Sequence, residues 1–111
     1  MLTLPSHTNI YIARDAVDMR KSIDGLAILV SAEFHLNPKQ AALFVFFNRR
    51  ADKVKILYWD RSGFALWYKK LARGRYRVPE LVKRVNKLSA SDLNCILEGL
   101  DLLDSKRFCS A

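Results

Sequence analysis

Apolar and polar positions alternate along Asn9-Ile-Tyr-Ile-Ala13, and that pattern predicts a short first strand. From Met19 the apolar positions become Met19, Ile23, Leu26, Ala27, Val30 and Phe34. Their spacing by three and four defines one helical face, so a helix is expected near 19–34, with Asp18 or Ser22 as its N-cap. Gly25 inside it costs about 1 kcal/mol relative to alanine, which points to something packed close by. Asn37-Pro38 ends the segment.

Leu43-Phe-Val-Phe-Phe47 is apolar on both faces, as a central strand is. After the short connection Asn48 to Asp52, Lys53 to Trp59 alternates clearly. Val54, Ile56 and Tyr58 share one face, and Lys53, Lys55, Leu57 and Trp59 share the other. The two runs predict a hairpin with Arg49 and Arg50 at its tip, followed by a turn at Asp60-Arg-Ser-Gly63. Residues 64–74 fit two periods. Phe64, Trp67, Tyr68 and Leu71 have helical spacing with Gly74 as a stop, while Phe64, Leu66 and Tyr68 alternate as in a strand; the helical reading is preferred. Arg75 to Val78 reads as a last strand closed by Pro79, and 80–88 as a basic, partly helical connector. Ser89-Ala-Ser-Asp92 resembles a capping box, opening a helix at about 90–103 whose core face is Leu93, Ile96, Leu97 and Leu100. Cys95 and Leu102 fall opposite that face, which would leave them outside.

Together these elements predict an α+β fold: a small, mostly antiparallel sheet packed by one helix, with a C-terminal helix closing or extending it. The 111 residues suffice for one modest core. Residues 1–88 are expected to form a basic α+β domain, with 89–111 a helix and tail of the same compact unit. No apolar run approaches the roughly 20 residues of a membrane span. Met1 to Pro5 has neither a basic nor an apolar leader region, and Cys95 and Cys109 lack metal-ligand spacing. Two reduced thiols in a cytoplasmic protein are the expectation, with no membrane partner, metal or cofactor.

Charge changes the picture. Residues 1–48 are net neutral and 88–111 are net −2, whereas 49–87 carry thirteen basic and three acidic groups, net +10. Nine of the twelve aromatic residues lie between 44 and 76. Cations interleaved with aromatics suit nucleic acid, the cations for phosphates and any exposed ring for bases. The candidates are Arg49, Arg50, Lys53 and Lys55 on the hairpin, then Arg61, Lys69, Lys70, Arg73, Arg75 and Arg77. Trp59 is a possible stacking ring that suits the core better. The competing readings are a solvated basic face and a surface for an acidic protein.

Catalysis finds little support. Asp52 and Asp60 end one strand roughly 20 Å apart, too far to share a metal pair. Asp18, Asp52 and Asp60 are explained by capping and turns, and no nucleophile elbow, Cys–His pair or phosphate loop is present.

The run Asp18-Met-Arg-Lys-Ser-Ile-Asp-Gly-Leu-Ala27, followed by Leu43 to Asp60 and by Gly63 to Pro79, resembles the TnpB-type accessory proteins of the insertion-sequence-sixty-six transposons, encoded by a second open reading frame. The likeness covers 9–79 closely and the last helix more loosely. Ala51 stands where that family commonly has glycine, and Val78 where an aromatic is frequent. The resemblance implies a non-catalytic protein needed for transposition beside a separate transposase that carries the acidic catalytic residues. Its implied partners are transposon-end DNA and that transposase, either through the basic surface on DNA or as an interaction module docking on the transposase alone.

Overall fold

A computed structural model describes residues 8–98 of the chain. Four strands, β1 (Asn9–Ile12), β2 (Ala42–Phe47), β3 (Lys53–Asp60) and β4 (Gly63–Lys70), form one sheet in chain order. β1 runs parallel to β2, and the other neighbours are antiparallel. Among the described residues three α-helices complete the α+β fold: α1 (Ile23–Leu29), α2 (Glu80–Val85) and α3 (Ala90–Leu97).

Both faces of the sheet are covered, which explains why all six residues of β2 are buried. On one face Ile10, Ile12, Val45 and Ile56 meet Leu93, Ile96 and Leu97 of α3. On the other, Phe44, Phe46 and Leu57 meet Leu26 of α1 and Val30 just beyond it. The edge of β1 away from β2 is closed by the 86–88 segment: the Ile12 amide donates to the Asn86 carbonyl at 3.0 Å, and the Leu88 amide to the Ile10 carbonyl at 3.2 Å.

Several expectations are corrected. Residues 64–70 are strand, not helix: a two-residue turn at Arg61-Ser62 sets Gly63 opposite Asp60 and continues the antiparallel register to Lys70 opposite Lys53. Residues 75–78 are no strand; Tyr76 makes a backbone bond to the Ala51 carbonyl at 2.6 Å and packs its ring 5.5 Å from that of Phe47. Helix α1 begins only at Ile23; Asp18 instead closes a local turn, its carboxylate accepting from the Arg20 amide at 2.9 Å and from the Arg20 guanidinium at 2.7 Å. Ser22 is the N-cap by position but accepts no capping bond. The helix then loosens into a π-helical turn over Val30–Phe34, ended by His35 in the left-handed region. Nothing crowds Gly25, whose nearest neighbour for an added Cβ is the Lys21 stem at 3.6 Å. The Ser89 cap is present, its side chain accepting from the Asp92 amide at 3.1 Å. Cys95 is buried rather than outward-facing, and it is not a free thiol. Leu100, Leu102 and Cys109 lie outside the described residues.

The hairpin tip exacts a backbone cost. Ala51 sits at φ 56°, in the left-handed region that glycine adopts freely and that costs other residues about 1–2 kcal/mol. Part of that cost is offset because glycine gives a more flexible unfolded chain. Ala51→Gly is therefore expected to raise stability by up to about 1 kcal/mol, read as a higher urea midpoint with an unchanged m-value. A lower midpoint would show that the tip does not hold this backbone. Val78, half-buried, packs against the same cluster as Tyr76.

Candidate nucleic-acid interface

The antiparallel register decides where the cations go. β2 ends, β3 begins and β4 ends at one end of the sheet, so Arg49, Arg50, Lys53, Lys69 and Lys70 gather there. The 71–76 segment is tied to the same end by the Leu71 amide on the Asp52 carbonyl at 2.8 Å and by the Tyr76–Ala51 bond. That brings Arg73 and Arg75 alongside, with Arg77 following Tyr76. Arg49, Arg50, Lys69, Lys70, Arg73, Arg75 and Arg77 are exposed, and Lys53 is half-buried.

Two predicted residues do not join them. Arg61 occupies the turn at the far end of β3, an eight-residue strand about 24 Å long. Lys55 is only 9% exposed, and its Nζ donates to the carbonyls of Met19 at 2.7 Å and Lys21 at 2.9 Å. Its charge is spent on pinning the β1–α1 loop to the sheet. Trp59 lies near the Arg61 end, with Phe64 edge-on at 5.0 Å and the Lys39 ammonium 5.2 Å from its ring centroid.

The tip is braced from within. Asn48 Oδ1 accepts from the amides of Asp52 (3.1 Å) and Lys53 (2.9 Å), while its Nδ2 donates to Asp52 Oδ1 at 2.6 Å. That donated bond, aided by Lys53 and Arg50, lowers the Asp52 pKa below its ordinary value. Nearby, Asp18 accepts a fork from Arg20, with Nη2 2.7 Å from Oδ2, and its pKa falls from the ordinary 3.8 to about 2. Between these groups lies an open cleft of about 750 Å³, lined by the 16–20 loop, Asn48, Arg49, Arg50, Lys53 and Tyr68. Sequence reasoning missed this cleft, because the loop and the tip meet through long-range contacts: the parallel pairing of β1 with β2, the Val17 amide on the Phe47 carbonyl at 2.8 Å and the Lys55 ammonium on the loop carbonyls. It also passed over Tyr68, whose exposure needed the strand assignment of β4.

Both carboxylates have folded pKa values below their unfolded ones. Their contribution is therefore complete above the unfolded value and is lost as pH falls through the folded one. The Asp18 part is expected to disappear between roughly pH 4 and 2. An NMR titration should place its carboxyl midpoint near 2, with the Arg20 Nε signal moving in step; a midpoint near 4 would exclude the fork.

Among the described residues, no group of three His, Cys, Asp or Glu side chains is placed to hold a metal ion, and no helix is long and apolar enough to cross a membrane. The model of the family described as IS66 Orf2-like protein matches residues 8–107. Two similar proteins come from Sinorhizobium fredii (strain NBRC 101917 / NGR234), both uncharacterized. Protein y4jC is 32% identical over 98 residues, covering 88% of this chain and 84% of its own. Protein y4hO is 35% identical over 100 residues, covering 88% and 87%. No solved structure matches.

Proposed function

Because this chain belongs to the IS66 Orf2-like family, whose members are accessory proteins associated with transposition, we propose that it binds DNA as a non-catalytic accessory factor through the basic end of its sheet. The observation that supports this reading is the convergence of cations from three separate chain segments on one end of the fold. Arg49, Arg50, Lys69, Lys70, Arg73 and Arg75 make no ion pair with a carboxylate among the described residues; Lys53 has only Asp52, at 3.9 Å. Exposed, unneutralised cations gathered at one end of the sheet suit the evenly spaced charges of a phosphate backbone.

A gel shift on a transposon-end duplex over a salt series tests this. If six cations each neutralise a phosphate, log K falls with log salt at a slope of about −5. No binding at low salt, to the duplex or to either of its separated strands, would overturn the reading.

The second reading, docking on the transposase without direct DNA contact, is favoured by Leu81 and Val85. They are 66% and 60% exposed and stand four residues apart on α2, leaving an apolar stripe beside the basic segment. It predicts co-purification with the transposase that Leu81→Ser weakens, together with no duplex binding.

A further inference from the structure

Among the described residues the large apolar side chains left exposed are Ile28, Tyr68, Leu81 and Val85, and only Tyr68 is aromatic. Tyr68 is 49% exposed and lines the cleft between the 16–20 loop and the hairpin tip, together with Arg49, Arg50 and Lys53. The ring is also held in place. The Lys55 ammonium lies 5.1 Å from its centroid and is itself fixed by the Met19 and Lys21 carbonyls. A positioned aromatic surface among phosphate-binding cations is the arrangement that takes up nucleobases.

We infer that this cleft accepts an unpaired nucleotide of a DNA strand, with its base stacked on Tyr68 and its flanking phosphates on Arg49, Arg50 and Lys53. The inference rests on the DNA-binding reading and adds to it a preference for single-stranded over duplex DNA. A duplex keeps its base faces within its own stack and offers only phosphates and groove edges from outside, so it gives Tyr68 nothing to stack on. The cleft, at about 750 Å³, lies in the range that encloses small ligands. Its one acidic wall, Asp18, is tied up by the Arg20 guanidinium at 2.7 Å, so it does not stand as a bare charge against a phosphate. Asn48 spends its amide on Asp52 and the tip backbone. That leaves stacking as the main contact with the base, which is tolerant of base identity.

The test uses the full chain and fluorescence anisotropy at one salt concentration, with a labelled oligothymidylate and a duplex of equal length. Tighter binding to the single strand is expected. Tyr68→Ala weakens that binding roughly tenfold or more and leaves duplex binding within about twofold, while Tyr68→Phe keeps the wild-type preference. Irradiating a complex with 5-iodouracil in the strand should place the crosslink on Tyr68 by mass spectrometry. The inference is overturned if the duplex binds as tightly as the single strand, if Tyr68→Ala weakens both equally, or if an RNA strand of the same sequence is preferred. Failure to bind either DNA overturns the broader reading as well, so the two failures are distinguishable.

Discussion

Lys55→Met is expected to cost about 2–3 kcal/mol of stability, a fall in Tm on the order of 10 °C, without changing the salt slope of DNA binding. The methionine keeps most of the stem that packs between Phe46 and Tyr68, its cross-strand partners. What goes is the ammonium that satisfies two loop carbonyls at 2.7 and 2.9 Å. Losing a charged donor while leaving its acceptors behind is costlier than replacing both partners. The loop should respond first, with faster hydrogen exchange at Lys21 and Leu26, whose amides bond to Asp18 and Ser22. Calorimetry and exchange on one sample check both parts. An unchanged Tm with a shallower salt slope would mean that Lys55 serves phosphates after all.

Removing the tip charges should do the reverse. Arg49→Ala with Arg50→Ala is expected to lower DNA affinity at low salt tenfold or more and to make the log–log slope shallower by about 1.8, at about 0.9 per phosphate contact. Both side chains are exposed, so stability should stay within about 0.5 kcal/mol of wild type. Arg61→Ala is the positional control: it removes one charge, half the loss in the tip variant, at the far end of β3. If Arg61→Ala lowers log K by about half as much as the tip variant, net charge rather than the basic end carries the interaction.

The elements that read correctly from sequence had one unambiguous period. β2 showed an unbroken apolar run, and β3 kept Val54, Ile56 and Tyr58 in strict alternation. β4 failed that test, because Phe64 and Leu66 serve one face of the sheet and Trp67 the other. A strand apolar on both sides can imitate helical spacing over four positions. The resolving signal was local: two residues between Asp60 and Gly63 suit a tight hairpin better than the start of a helix. The misplacement of Lys55 had a similar origin. Alternation puts it on the face away from Val54 and Ile56, and a phosphate role for it requires that face to be open to solvent. Yet the all-apolar β2 already implied that both faces are covered, and a lysine beside Phe46 inherits that cover. The gathering of Arg73 and Arg75 with the hairpin was legible only as a charge excess. Their place depends on backbone bonds from Leu71 and Tyr76 to Asp52 and Ala51, which no periodicity encodes.

The position of β1 has a consequence for how the chain assembles. The β2–β3–β4 meander pairs residues close in sequence through short turns, whereas Ile12 finds Val45 only after a long crossover and Tyr11 finds Lys87 across most of the chain. Loop-closure entropy favours the meander as the earlier event, with β1 as the late strand that brings the N- and C-terminal segments together. The cleft beside the hairpin tip needs the 16–20 loop that follows β1. On this order the basic end would form before its cleft does, and weakening β1 would unmake the cleft while leaving the charge in place.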